Sequence, residues 1–167
     1  LLYFQKSKEI FDKQDYKSGI AYGLCNIGLT HFQASNGLRG MDLMKQAIQL
    51  FDSLDDYSPI AYLYIEIAKR NISNGNYTQA KHYANLANEI IIENNFTNQM
   101  MEVLKIQSEI AIHDNDYKSA YDYTKQSQFL NDSLYNSQIT SQLAEKRTEF
   151  EISRKETEIK YLQKISR

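Results

Sequence analysis

The sequence predicts an all-α chain: an α-solenoid of antiparallel helix pairs followed by a long C-terminal helix. Three observations carry that expectation. Small and large residues recur along the chain at a 40-residue period. Inside each period the apolar positions fall at helical spacing. One Pro and six Gly among 167 residues leave few points at which a helix must stop.

The period emerges on stepping along the chain in forties. Ser7, Ala47, Ala87 and Ser127 are small, and Ile10, Leu50, Ile90 and Leu130 are aliphatic. Gly28, Ala68 and Ser108 are small, as are Gly40, Ala80 and Ala120. Leu24, Tyr64 and Leu104 are large, as are Tyr3, Leu43, Tyr83 and Tyr123. Within one copy Tyr64, Ile67, Ala68 and Asn71 lie at i, i+3, i+4 and i+7, and so do Ala80, Tyr83, Ala84 and Ala87. Between them Asn74-Gly75-Asn76 reads as a turn. Small columns belong where two helix backbones cross closely, and large columns fill the space beside the crossing. One helix pair cannot cover its own apolar face, so neighbouring pairs must stack.

Taken in order, helices are expected near 1–13, 19–35, 39–54, 59–74, 77–94, 98–114 and 117–130, with a last one from about 134 onward. The first is the second half of a repeat. Ser58 followed by Pro59 reads as N-cap and first helical residue, with Ser18 and Thr97 or Asn98 in similar places. Gly37 and Gly40 stand where later copies have Tyr and Ala, which predicts a looser turn. Tyr77 and Tyr117 follow their turns and are expected to fill the gap at the crossing. On that reading Tyr77→Ala costs ~3–5 kcal/mol. The domain reading is a helical repeat domain over 1–130 and a charged linker helix over 131–167.

From Asn131 the pattern thins. Ile139, Leu143, Phe150, Ile152, Ile159, Leu162 and Ile165 are spread among charges of both signs. Leu143 and Phe150 are seven apart, and Ile152 and Ile159 are seven apart on a shifted stripe. That broken heptad is compatible with a short coiled coil forming a homodimer through 131–167, or with a solvated helix extending the last repeat.

Composition narrows the function classes. With 19 basic and 21 acidic residues the net charge is -2, which gives no general attraction to nucleic acid or anionic membranes. No apolar run approaches the ~18 residues of a membrane span, so no membrane contact is expected within the chain. The chain begins at Leu1 without a signal peptide and is expected to be a piece of a longer protein. Cys25 is the one cysteine, so no intrachain disulfide can form; a buried, inert thiol is expected. His31, His82 and His113 stand singly at spacings that suit no metal site. Asp52, Asp55 and Asp56 read as a solvated acidic face and lack the alternating ligands of a calcium loop. No glycine-rich phosphate loop is present. No catalytic constellation, metal or cofactor is expected, and the chain reads as a non-enzyme.

The columns also carry a family resemblance. Tyr64, Ile67, Ala68, Gly75-Asn76-Tyr77, Ala80 and Ala87, with Leu104, Ser108, Asn115-Asp116-Tyr117, Ala120 and Ser127, resemble the tetratricopeptide repeat over roughly residues 1–130. The period is longer than that repeat's ~34 residues, and the Pro that usually follows its second helix is missing. The resemblance implies a concave groove, lined by the first helices, that holds a peptide or a partner helix. Its columns fall on Tyr22, Cys25, Leu29 and Phe32, on Tyr62, Ile65, Lys69 and Ile72, and on Glu102, Lys105, Glu109 and Ile112. Repeats that clamp a chaperone's acidic tail need Lys and Asn where this chain has Cys25 and Leu29, and cations where it has Glu102 and Ile106, so that use is not expected. "NDSLYN" and "EFEISRKETEIKYLQK" in the tail resemble bacterial sensory proteins in which such repeats precede a helical linker and an output domain. This implies the input domain of a two-component sensor histidine kinase, on the periplasmic side of the inner membrane if anchored there. The alternative it implies is a cytoplasmic peptide receptor or adaptor that regulates a transcription factor.

Overall fold

The computed structural model describes residues 2–14, 16–34 and 37–165, with side chains described as far as residue 156. The chain is all-helical. Among the described residues there are seven helices: α1 (Leu2–Lys13), α2 (Lys17–Gln33), α3 (Gly37–Asp52), α4 (Tyr57–Ser73), α5 (Tyr77–Asn94), α6 (Thr97–His113) and α7 (Tyr117–Ile165). The first six sit within a few residues of their predicted places. The expected break near residues 131–133 is absent, and α7 runs through it. Asn131-Asp132-Ser133 contains no Gly or Pro, so the polar residues there only thin the apolar pattern and do not end the helix.

The junctions from α3 to α7 share one recurring device. Asp55, Gly75, Asn95 and Asn115 have φ of 53°, 75°, 56° and 61°, the left-handed conformation. The next residue's N–H in each case reaches back five residues: Asp56 to the Phe51 carbonyl at 3.0 Å, Asn76 to Asn71 at 2.8 Å, Phe96 to Ile91 at 3.1 Å and Asp116 to Ala111 at 2.8 Å. The left-handed residue itself donates three back, as Gly75 does to Ile72 at 2.8 Å. This pair of bonds is the Schellman termination, which satisfies carbonyls that the helix end would otherwise orphan. Gly takes the left-handed place at residue 75, and Asn or Asp tolerates it at the other three.

The same turns start the next helix. Asn76, Phe96 and Asp116 accept the first helical bond, from Ala80 at 3.0 Å, Met100 at 2.9 Å and Ala120 at 3.0 Å. The sequence expectation for the caps is therefore corrected. The N-caps of α2, α4 and α6 are Tyr16, Asp56 and Phe96, not Ser18, Ser58 and Thr97 or Asn98, and none of the three makes a side-chain cap bond. Pro59 sits at the third helical position, where its missing N–H still costs nothing. Ser58 serves a tertiary contact instead: its carbonyl accepts from the Gln99 amide at 2.8 Å.

Residues 2–127 form one compact unit. In it α2 packs on α3 and α4 on α5, with further packing of α1 on α2, α3 on α4, and α5 and α4 on α6. The small columns lie at these contacts. A Cβ on Gly40 would stand 2.7 Å from the Gly28 carbonyl oxygen, and one on Gly28 would stand 2.8 Å from the Met44 side chain. Ala68 and Ala80 are fully buried. Ser108 is buried with its hydroxyl 3.0 Å from the Ala120 carbonyl and 2.8 Å from the Thr124 hydroxyl. The turn before α3 includes residues 35–36, so the looser turn expected there lies partly outside the described residues.

Two core clusters share α4. Ile60, Leu63 and Ile67 face Ala21, Leu24, Cys25, Met44 and Phe51, while Ala61, Ile65 and Ala68 face Ala84, Ile91, Val103, Ile106 and Ile110. A helix buried on two sides needs apolar residues around most of its girth, and α4 has them. By contrast α1 has no buried residue among those described, its column members Tyr3, Ser7 and Ile10 are exposed, and it packs on α2.

The two turn tyrosines behave differently from expectation. Tyr77 is half-buried and stacks on His113, with ring centroids 3.6 Å apart and planes 13° from parallel. Tyr117 is 66% exposed and fills no gap; its hydroxyl donates to the Asn115 side chain at 3.1 Å.

The second compact unit begins at Gln128. Its described part is the remainder of α7, and Phe129, Tyr135, Ile139, Leu143, Phe150 and Ile152 are all exposed on it. Lys146 and Glu149 form an i,i+3 ion pair at 2.7 Å. The side chains of Ile159, Leu162 and Ile165, the later members of the predicted stripe, lie outside the described residues.

Candidate functional site

The face built by α2, α4 and α6 carries the residues predicted to meet a partner. The structure divides them. Cys25, Phe32 and Ile65 are 5%, 8% and 1% exposed and belong to the core. As accessible contacts these three are corrected: α2 and α4 present them to neighbouring helices, which the helical spacing alone does not reveal. Burial pushes the Cys25 thiol up to about 11, so it stays protonated and unreactive near neutrality. Leu29 and Ile72 are half-buried against the two core clusters.

Tyr22, Tyr62, Lys69, Lys105 and Glu109 remain reachable. Tyr22 lays its ring edge-on to Phe51 at 4.9 Å and donates its hydroxyl to Asp56 at 3.2 Å. Burial, the Asp56 charge and that hydrogen bond all raise its pKa. Burial and then the nearby Glu66 charge raise the pKa of Tyr62.

At the other end of the face the chemistry is ionic. Lys69 bridges Glu66 of its own helix at 3.1 Å and Glu102 of α6 at 2.6 Å. Burial pulls the Lys69 pKa down, but the hydrogen bonds to Glu102 and Glu66 outweigh it, and the ammonium is held above the ordinary lysine value. The same hydrogen bond holds Glu102 below the usual carboxylate range, with Lys105 assisting. Lys105 and Glu109 are exposed one turn apart on α6. Glu66, which the sequence columns passed over, is thus part of the site; its signal was the i,i+3 spacing to Lys69.

Elsewhere on this unit Lys81, Asp114, Asp116 and Ser119 line a polar cleft of about 160 Å3 between α5, α6 and the start of α7. The Asp116 carboxylate accepts from the Ser119 N–H at 3.1 Å, a side-chain cap at the start of α7. Among the described residues no group of three or more His, Cys, Asp or Glu is placed to hold a metal ion, and no helix is long and apolar enough to cross a membrane.

No family model, curated protein or solved structure matches this chain.

Proposed function

We propose that the chain is a non-enzymatic binding module. It is a tetratricopeptide-like solenoid with a 40-residue period, whose first-helix face receives a protein or peptide partner. It serves as the sensory input domain of a bacterial signal-transduction protein, a two-component sensor histidine kinase. Residues 131–167 relay the bound state and pair with a second copy as a short coiled coil.

The observation that carries the reading is the accessible stripe itself. Tyr22 and Tyr62 offer large, half-covered rings at one end, and Lys69, Lys105 and Glu109 offer directional charge at the other. Rings with a polar tip and paired charges are the side chains that anchor and orient a peptide. The relay reading draws on the exposed apolar residues of the C-terminal helix, notably Leu143 at 61% and Phe150 at 70% exposure. A helix that pairs weakly supplies the two-state element through which binding at one site can bias another.

The test is a panel of random peptides selected on the whole chain and then measured on Tyr62→Ala and Lys69→Met. Selected peptides are expected to lose at least tenfold in affinity on both variants, whose melts shift by less than ~1 kcal/mol. Peptides that bind all three chains alike would remove the groove reading. Light scattering over a concentration series tests the relay: a chain that stays strictly monomeric counts against dimerisation through 131–167.

A further inference from the structure

A second flank of α4 carries Tyr57, Ile60, Tyr64 and Ile67 at steps of three and four, one stripe in which Ile60 and Ile67 are buried and Tyr57 and Tyr64 are half-buried. It lies away from Tyr62, since two residues along a helix turn the side chain by about 200°. Helices α3 and α5 both pack on α4 and leave a groove over this stripe. The groove consists of two adjoining hollows of about 270 and 310 Å3 that share Ile48, Gln49 and Tyr64. Met41 and Ile48 form one wall and Tyr83 and Ile90 the other, all four only half-buried.

The groove has the length and charge of a particular occupant. From Met41 to Asp52 it follows α3 for about 16 Å, three turns at 1.5 Å per residue. Wall residues seven apart, at 41 and 48 and at 83 and 90, match the spacing of ridges on a helix laid between two helices. Its rim is polarised. Asp52 and Glu93 stand at one end, exposed and with no ion-pair partner among the described residues. Lys45 is the rim cation in the other hollow, beside Met41. Two exposed carboxylates at the mouth of an apolar channel favour a cation on whatever fills it.

We propose that this groove is a second docking site, separate from the first-helix face, for an amphipathic α-helix of a partner protein. The helix is about three turns long, carries an apolar stripe at i, i+3 or i+4, and i+7, and has a Lys or Arg at the end that meets Asp52 and Glu93.

The test uses the whole chain, isotope-labelled for NMR, and a synthetic four-turn amphipathic peptide with a leucine stripe and a terminal Lys. A twin peptide carries Glu in place of that Lys. Saturable shifts at Ile48, Tyr64 and Ile90 are expected, with the Lys peptide binding about fivefold tighter than its twin, the worth of one exposed charge contact. Asp52→Lys is expected to abolish or invert that preference, and Ile48→Glu to remove binding of both peptides. Lys69→Met is expected to change neither. The proposal is overturned if neither peptide binds, if the shifts fall on Tyr22, Tyr62 and Lys105 instead, or if the Lys preference survives Asp52→Lys. It is also overturned if Ile48→Glu turns a self-associating chain into a monomer, since the occupant is then a second copy. Asp52 is exposed, so its variant keeps the test decisive even if Ile48→Glu fails to fold.

Discussion

Three glycines in this chain meet three different physical situations, and replacing each with alanine separates them. Gly37 opens α3 with no atom of the described residues within 4 Å of a would-be Cβ, its chain neighbours aside, and no left-handed φ. Gly37→Ala therefore only reduces the freedom of the unfolded chain and improves helix propensity, a gain of about 0.5–1 kcal/mol. Gly75 also has open space, but its φ is 75°. A Cβ there costs about 1–2 kcal/mol of left-handed strain, and the Schellman turn between α4 and α5 offers no relief. Gly40 has an ordinary helical backbone but no room, with the Gly28 carbonyl oxygen 2.7 Å from its would-be Cβ and the Phe32 backbone as near. Backbone cannot swing aside as a side chain does, so α2 and α3 must separate. Overpacking costs about 1–3 kcal/mol, more than the propensity gain returns. Urea melts followed by far-ultraviolet circular dichroism are expected to rank the variants Gly37→Ala above the parent, and Gly75→Ala and Gly40→Ala below it. For a chain of this size each kcal/mol shifts the thermal midpoint by about 2–4 °C. A Gly40→Ala protein as stable as the parent would refute the close approach of α2 and α3. A Gly37→Ala protein that is clearly destabilised would refute the open space at the start of α3.

Three more outcomes are expected. Tyr77→Ala should cost ~1–2 kcal/mol, less than a fully buried ring, and a double-mutant cycle with His113→Ala should return a coupling of about 0.5–1.5 kcal/mol for the stack; a coupling of zero would mean that the rings do not touch in solution. Cys25 should resist a thiol reagent at mildly alkaline pH and react fully in urea, because burial keeps it protonated up to about 11; rapid labelling of the folded chain would contradict its burial. Lys69→Met should lose no more than ~1 kcal/mol at neutral pH, since the pair is partly solvent-screened. Glu102 is held below its ordinary value, so its share of that stability is present above the unfolded carboxylate pKa and is lost as pH falls through the folded one. The gap between parent and Lys69→Met should therefore close in acid, and a gap that widens there would contradict the ion pair.

The six shorter helices were legible because apolar spacing is a local property of the chain. Tyr64, Ile67 and Ala68, or Ala80, Tyr83 and Ala84, mark a helix whatever surrounds it. The small columns were legible for a related reason. Close crossings tolerate only Gly, Ala or Ser, and Gly28 with Gly40 and Ser108 with Ala120 meet across such contacts. The helix starts were misplaced because Ser58 and Thr97 look like side-chain caps, while the backbone ends α3, α4, α5 and α6 through a left-handed residue at 55, 75, 95 and 115. Only Gly75 announces that conformation by its residue type, since Asn and Asp also serve other purposes.

What the amino-acid sequence determined by itself was helix, turn spacing and the residues small enough for contact. Which side of a helix stays wet was decided by tertiary structure alone. Cys25, Ile65 and Lys105 share one 40-residue column, yet the first two are core and the third is accessible. Burial depends on which neighbours a helix meets, and α4 meets them on two sides. The Lys69–Glu102 pair and the groove over Tyr64 follow from the same cause: each joins residues of different helices, which no local pattern brings together.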